Sequence, residues 1–598
     1  VVHQLPAQGT NGAWAQSVNI GKVVPNPAKG GVTGAIGPAY GPNHRIKGAV
    51  AAVLAAGLAV AGCGGSVGHS SAPTTIGKTV AGSKDAPNIK GTGLKGTGIK
   101  GTGINGTGAA RAGQAQAGPA TFDGPDGVEA RWVIEENKKP GTTAWRLAGA
   151  ANGAPINGFA SVTAASAGGR VRLYVTTRAS RYHISAYRMG YYGGKGGRLV
   201  WKSGELKGVV QPVCPLSSGT NMVACDNWAP SITLAIGPQF VQGDYLFKLV
   251  ADPGQQSYIP LTVWDPSSHA AYVLQNSVLT WQGWNNWGGY DMYGGAPVGQ
   301  TPQYANRALV ESFDRPYANG NGAADFMALE YPLVYWAEEH GLDVTYWTDV
   351  TFAQFPYLLE NHKALLTLGH DESWTLRERN GVVAARAAGV NVIYFGASPV
   401  LRHVRLEPSP LGRDREEVDY RDPTADPIYA TDPLNATGNT WAQPPDDDPP
   451  SQVVGDTYQG YGLDDPMVVT DANAWPFAGS GVTDGTQLKG VEAGDYDAYD
   501  TSQPDPPNVE IVSHSPVQPE VGHLMYADMT YYTWPGSQAG VLATGTIGWI
   551  PALEACTGPM PGCPTGVVQT VTGNILRLFG KGPAGKYHAS VANWQQYY

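Results

Sequence analysis

ALLTLGHDESW, Ala364 to Trp374, is the stretch that decides the fold. Ala364 to Leu368 is a short, almost wholly apolar run, the pattern of a strand covered on both faces. Gly369 permits a sharp turn at its end, so His370, Asp371 and Glu372 stand at the strand's C-terminal edge, where open α/β sheets bind their ligands. Ser373 is the expected N-cap of a helix from Trp374 to Ala388, with Leu376, Val383 and Ala387 at helical spacing and Gly389 as its stop. VNVIYFGAS, Val390 to Ser398, is the next buried strand. The whole reads as a β-loop-α-β unit with three titratable groups at its tip.

Upstream, AAYVLQNS (Ala270 to Ser277) is another apolar strand, followed by the aromatic, glycine-rich loop TWQGWNNWGGYDMYGG (Thr280 to Gly295). A helix is expected from Tyr331 to Glu339, with Pro332 in its first turn and Gly341 beyond its end. DVTYW (Asp343 to Trp347) is the strand before the central unit. Downstream come strands MVVTD (Met467 to Asp471) and NVEIVSH (Asn508 to His514), a hairpin over Met529 to Gly545, and a last helix from Val567 to Gly580. Alternating strands and helices predict a mostly parallel sheet, α/β. The acidic, proline-rich stretch Asp414 to Pro450 reads as a solvated loop, with a calcium site as the alternative.

Thr121 to Asp265 differs: ARWVIE (Ala130 to Glu135), GGRVRLYVTT, YHISAYRM, SITLAI, DYLFKLVA and IPLTVW are strand-like runs at short intervals, which predicts a β-sandwich. Within it, the glycines of YRMGYYGGKGGRLVW (Tyr187 to Trp201) suit a hairpin tip, and Tyr191 and Tyr192 either brace that turn or contact a ligand. The chain is thus expected to be an α+β multidomain protein: 1–62 a signal-like and upstream segment, 63–120 a tether, 121–268 the sandwich and 269–598 the α/β domain.

The N-terminal part speaks of export. Arg45 and Lys47 precede an apolar run, Ala49 to Ala61, which is short of the roughly 20 residues a membrane-spanning helix needs and fits a signal-peptide core. It ends in Val60-Ala61-Gly62-Cys63, a lipobox-like sequence that makes Cys63 the expected lipidation site; an ordinary signal peptide or a short buried helix is the alternative. Lys90 to Gly108, KGTGLKGTGIKGTGINGTG, is a repeat expected to act as a flexible tether. Gly64 to Gly68 matches G-x-S-x-G but lacks the strand and helix that motif needs. Four further cysteines lie in two local pairs, Cys214 with Cys225 and Cys556 with Cys563, as expected of disulfides in an exported chain. The expected location is extracytoplasmic, held to the cell membrane by a lipid anchor.

Composition limits the partners. The 598 residues carry a net charge of -10 with 80 Gly and 46 Pro but only 15% charged residues, which suits a loop-rich secreted protein and gives no footprint for nucleic acid. It is compatible with a homo-oligomer. With no cysteine between Cys225 and Cys556, no thiol can serve at the strand-to-helix elbow, and no C-x-x-C or H-E-x-x-H zinc spacing occurs. His370 and Glu372, two apart, face the same way if strand geometry persists, which suits a metal ligand with its neighbour or an acid and base pair. The bland alternative is a helix cap at Asp371 and a satisfied buried histidine. Asp528 and His514, on later strands, are further candidates for the site.

The segments YRMGYYGGKGGR, WNNWGGYDMYGG, SFDRPY (Ser312 to Tyr317), GLDVTYWTDV (Gly341 to Val350), GHDESW, EPSPLG (Glu407 to Gly412), WPFAGSG (Trp475 to Gly481) and HSPV (His514 to Val517) together resemble the family of the N,N-dimethylformamidase large (β) subunit. The resemblance runs from Arg131 to Tyr598. It implies a β-sandwich followed by a glutamine-amidotransferase-like α/β domain, and hydrolysis of a small amide by iron held by two tyrosines and a glutamate. Matched by position, that glutamate is Glu372 and the neighbouring histidine His370, with Asp371 between them in the catalytic stretch. Two positions depart from the family: Trp284-Asn285 stands for a Tyr-Asn step, and Ser373 for a tyrosine. Tyr290, Tyr293 and Tyr317 are the candidate replacement ligands. The competing class is a non-enzymatic surface lipoprotein that binds a glycan or protein partner through the aromatic loop Trp281 to Tyr293.

Overall fold

The central sheet has the strand order Val344–Thr348, Tyr272–Asn276, Ala364–His370, Asn391–Ala397, Gly540–Ala543, Met525–Thr533, Glu510–Val517 in a computed structural model that describes residues 120–148, 156–252, 254–518, 523–554, 556 and 563–598. The signal-like segment, Cys63 and the glycine–threonine repeat lie outside the described residues. The first five strands run parallel, and Met525–Thr533 is antiparallel to its neighbour on either side, Gly540–Ala543 and Glu510–Val517. Taken in chain order the parallel strands lie 2-1-3-4-5, a doubly wound arrangement whose crevice opens beyond the first and third strands. Those two are Tyr272–Asn276 and Ala364–His370.

Alternation along these strands sorts the core into two layers. Leu274, Leu366, Ile393 and Leu542 share one apolar cluster with Leu333 and Trp336 of helix Tyr331–Glu339 and with Val571 and Ile575 of helix Thr565–Phe579. Their neighbours Val273, Leu365, Val392 and Val541 pack on the other face with Val382 and Ala385 of helix Leu376–Ala388. Side chains that point alternately up and down, with helices on both sides, are what a parallel sheet of apolar strands requires. Gly396 lies opposite Gly369 in the ladder, and a Cβ on it would come within 1.6 Å of the Gly369 carbonyl oxygen. Only glycine fits there.

The central helix starts later than its sequence pattern suggests. Ser373–Thr375 forms a short strand paired in parallel with Arg402, His403 and Val404. Thr375 is the N-cap, its side chain accepting from the Glu378 amide while Glu378 reaches back to the Thr375 amide. This reciprocal capping box outcompetes Ser373.

The part up to Trp264 holds two sheets, one of strands Ala164–Ser166, Gln256–Trp264, Gly243–Ala251, Arg181–Met189 and Gly197–Lys202, joined by Leu206–Lys207 and antiparallel except for the parallel pair Ala164–Ser166 with Gln256–Trp264, the other, antiparallel throughout, of Ile156–Ala160, Arg170–Thr177 and Ile232–Ala235. Val171, Leu173, Ile184, Phe247, Leu249 and Ile259 meet in one core between them. One expected strand is instead a helix: Arg131–Asn137 buries Val133 and Glu136, three apart on one face. Glu136 is fixed there by Arg198 and the Tyr192 hydroxyl, so an ionic anchor decides where the local pattern was ambiguous. Gly193, Gly194 and Gly196 take φ of 61°, 81° and 81°, as a tight hairpin tip demands. Tyr191 and Tyr192 brace this tip against Tyr335 and Glu136. Both local cysteine pairs, Cys214–Cys225 and Cys556–Cys563, are disulfides.

Asp414 to Pro450 is not solvated throughout, although Tyr429 to Leu434 is exposed. Gly412–Val418 is a strand; Asp426 is buried on Arg405 at 2.6 Å, and Asp446 holds His403 Nδ1 at 2.7 Å. The acids there are partners of inward-facing side chains.

Residues 120–598 form one compact unit, and Asp244 helps to join its two parts. Its Oδ1 accepts from Thr262 at 2.9 Å and from Asn276 Nδ2 at 2.6 Å, while Oδ2 has no partner. Burial pushes the Asp244 carboxyl up to about 7, so the folded chain carries a proton that the unfolded chain releases near pH 4. Its stabilising effect is complete below that pH and is lost as pH rises toward 7, at ~1.4 kcal/mol per unit. Asp244→Asn imitates the protonated acid. The variant is expected to flatten this part of the pH profile of the urea midpoint between pH 4 and 7; an unchanged slope would show that Asp244 is ionised throughout.

Candidate functional site

Two loops meet beyond the C-terminal ends of Tyr272–Asn276 and Ala364–His370. After the first strand comes a short buried helix, Val278–Gly283. Its Thr280 Oγ1 accepts from the Glu372 amide at 2.9 Å and from the Ser373 amide at 3.1 Å, clamping one loop to the other. Gly369, at φ 67°, makes the turn that presents His370 to Glu372.

His370 and Glu372 face one way and Asp371 the other. His370 Nε2 lies 3.4 Å from Glu372 Oε2 and 3.4 Å from Asp495 Oδ2. These are charge contacts: both ring nitrogens are buried without a hydrogen-bond partner. Asp371 instead accepts from Gln275 Nε2 at 3.1 Å, on the side of the buried acids Asp349 and Glu378. Burial lifts its carboxyl to about 7.

Three donors meet on the Glu372 carboxylate, with His370 beside it. Oε2 accepts from the Tyr293 hydroxyl and from Trp284 Nε1 at 3.2 Å, and Oε1 accepts from Arg402 Nε at 2.8 Å. Burial works to raise this carboxyl, but the Arg402 guanidinium, His370 and the Tyr293 hydroxyl hold it well below the usual carboxylate range. Burial likewise opposes a charged imidazole, yet Glu372 and Asp495 push His370 up to about 9. Tyr293 is pushed well up by burial and by Glu372. Trp284 stacks on its ring at 3.6 Å, and Arg421 lies over it at 4.2 Å.

Of the three candidate tyrosines, then, Tyr293 reaches Glu372. Tyr290 lies against Gly295 and gives its carbonyl to Arg315, while Tyr317 stands edge-on to Trp281. Trp284 occupies its loop as a donor rather than a ligand. His514 and Asp528 pair with each other at 2.7 Å in the antiparallel strands.

Sequence reasoning missed Arg402, Arg421, Asp495 and Ser398. Ser398 ends strand Asn391–Ala397 at φ 59°, and its hydroxyl donates to Asp495 Oδ2 at 2.7 Å. Val400, a β-branched residue, also stands at φ 59°, a costly conformation tolerated where the surroundings fix it. The turn puts the Arg402 amide on the Glu372 carbonyl at 2.8 Å, bringing its guanidinium to the carboxylate. A buried strand ending in Gly-Ala-Ser was a readable signal for Ser398. Asp495, from the paired strands Thr457–Val468 and Gln487–Ala498, had none.

Among the described residues no group of three or more His, Cys, Asp or Glu is disposed to hold a metal ion; the oxygens that converge here include a phenol. Tyr293 Oη and Glu372 Oε2 supply two oxygen donors, with the charged His370 beside them rather than in the donor set, and these oxygens fit iron or another oxygen-preferring cation.

The family model described as N,N-dimethylformamidase beta subunit-like, C-terminal, matches residues 183–563, which include every residue of the site. No curated protein matches the chain.

Proposed function

This chain belongs to the N,N-dimethylformamidase beta subunit-like family, and from that membership and the surroundings of Glu372 we propose that it is a metal-dependent hydrolase of small linear amides. The observation that carries the reading is the meeting of Tyr293, Glu372 and His370 at the carboxyl ends of two parallel strands. Tyr293 and Glu372 would hold the ion, iron in our reading, with His370 beside them. A cation bound there polarises an amide carbonyl and acidifies water.

The chain's own groups handle protons and orientation. His370, charged between Glu372 and Asp495, holds a proton where the leaving nitrogen of an amide needs one. Ser398 fixes Asp495 in turn. Arg402 keeps Glu372 ionised, and the Trp284 ring packs Tyr293 in place. The rival reading, a binding protein with an exposed aromatic loop, finds less support: Trp281 is 4% and Tyr293 8% exposed.

The doubly wound strand order supports an amidotransferase-like α/β domain behind a β-sandwich. The two disulfides support an extracytoplasmic protein, anchored in our reading through a lipid on Cys63.

Metal content and the visible spectrum of wild type and Tyr293→Phe, with rates on a panel of linear amides, test the proposal. Stoichiometric iron with a tyrosinate band, absent in Tyr293→Phe, is the expected result. His370→Gln should keep the band and lose about 10²–10⁴ in rate. A metal-free wild type that still hydrolyses amides would overturn the metal, and inactivity across the panel would overturn the hydrolase.

A further inference from the structure

A ladder of alternating rings and guanidiniums runs from the surface to Glu372. Tyr304 is 43% exposed on a short turn. Arg307 lies over its ring at 4.5 Å and Arg421 at 5.9 Å. Arg421 in turn lies over Tyr293 at 4.2 Å, and the Tyr293 hydroxyl meets Glu372.

The two guanidiniums share an unusual feature. Arg421 is a non-glycine residue at φ 58° with a side chain 5% exposed; its Nε donates to Asp419 at 2.9 Å, but Nη2 is buried without any partner. Arg307 donates through Nη2 to the Tyr420 carbonyl at 3.1 Å, and its Nε is also buried and unpartnered. Leaving a charged donor unsatisfied is costly, and such groups call for an explanation. Both belong to side chains that lie over the rings linking Tyr304 at the surface to Tyr293. A guanidinium over an aromatic ring can still offer N–H groups to an acceptor in its own plane, and the acceptor that suits it best is a carboxylate. Two guanidiniums in succession also favour the entry of an anion.

We propose that Arg421, with Arg307 before it, determines specificity for an anionic substituent, so that the substrate is an amide bearing a carboxylate, such as an N-acylated amino acid. This rests on the amide-hydrolase reading for the bond that is broken, but not for the anion that is bound.

N-formylglycine and its neutral isostere N-formylglycinamide separate the two. Binding by titration calorimetry and hydrolysis rates would be measured on the full chain, on Arg421→Gln, and on Asp419→Asn/Arg421→Gln, which removes both partners of the buried pair and so guards against misfolding. Wild type should prefer the charged amide by about tenfold or more, as expected for a charge-assisted hydrogen bond, and both variants should lose that preference. Equal affinity for the two amides, a preference that survives in both variants, or no binding at all overturns the inference. Preferential binding of N-formylglycine without hydrolysis of either compound leaves the anion site standing and overturns the hydrolase. Hydrolysis of both at equal rates does the reverse.

Discussion

Glu372→Gln is expected to abolish turnover and to destabilise the protein at the same time. The substitution keeps size and shape, so its effect isolates the charge and the second acceptor oxygen. In wild type both oxygens of Glu372 face donors, Arg402 on one side and Trp284 with Tyr293 on the other. Whichever oxygen becomes the amide NH2, a donor then points at a donor. Arg402, whose side chain is 15% exposed, loses its carboxylate, and breaking a largely buried pair by removing one partner costs about 3–5 kcal/mol. Activity should fall by at least ~10²-fold, because the same carboxylate holds the proton on His370 and orders Tyr293. Glu372→Asp keeps the charge but draws it back by one methylene, and should recover part of the stability with little of the rate. Urea midpoints and kcat/KM for the three proteins decide the matter. An active Glu372→Gln, or one with an unchanged midpoint, would remove Glu372 from the centre of the site.

The sheet and the acid–imidazole pair could be read from the sequence because they depend on local patterns. Short apolar runs such as Leu365–Leu368, closed by Gly369, fit buried strands, and the period of 2 then puts His370 and Glu372 on one side and Asp371 on the other. The rest of the site depends on long-range placement. Arg402 follows a turn with two residues in left-handed conformations, Ser398 and Val400, which no local preference announces. Asp495 arrives from strands about a hundred residues further on, and Arg421 from a stretch whose acidity suggested solvent. In that stretch charge composition misleads, since Asp419 and Asp426 are there to neutralise Arg421 and Arg405. Helix Arg131–Asn137 shows the same limit: Trp132 to Ile134 read as a strand, but the Glu136 carboxylate pairs with Arg198, a residue no window around it contains.

Glu338→Ala should be the most destabilising single change outside the site. Glu338 projects from helix Tyr331–Glu339 of the α/β part, and Arg188 from strand Arg181–Met189 of the antiparallel part; both side chains are fully buried. The pair is bidentate, with Arg188 Nη1 on Glu338 Oε2 at 2.9 Å and Nη2 on Oε1, and Asn137 and Tyr346 donate to the same carboxylate. Arg188 belongs to the YRMGYYGG motif, and Gly190 in that motif leaves room for the carboxylate: a Cβ there would lie 2.1 Å from Glu338 Oε2. Truncating Glu338 strands a guanidinium, a phenol and an amide, with an expected loss of about 3–5 kcal/mol or more. Replacing both charges, as in Arg188→Met/Glu338→Leu, removes the uncompensated cation and should be less damaging than Glu338→Ala alone, because the cost lies in the unpaired charge rather than in the lost attraction. Urea midpoints for the two proteins test the ordering. If the double variant is the weaker one, the pair contributes net stability, and the two halves of the molecule are held together by this ion pair rather than merely aligned by it.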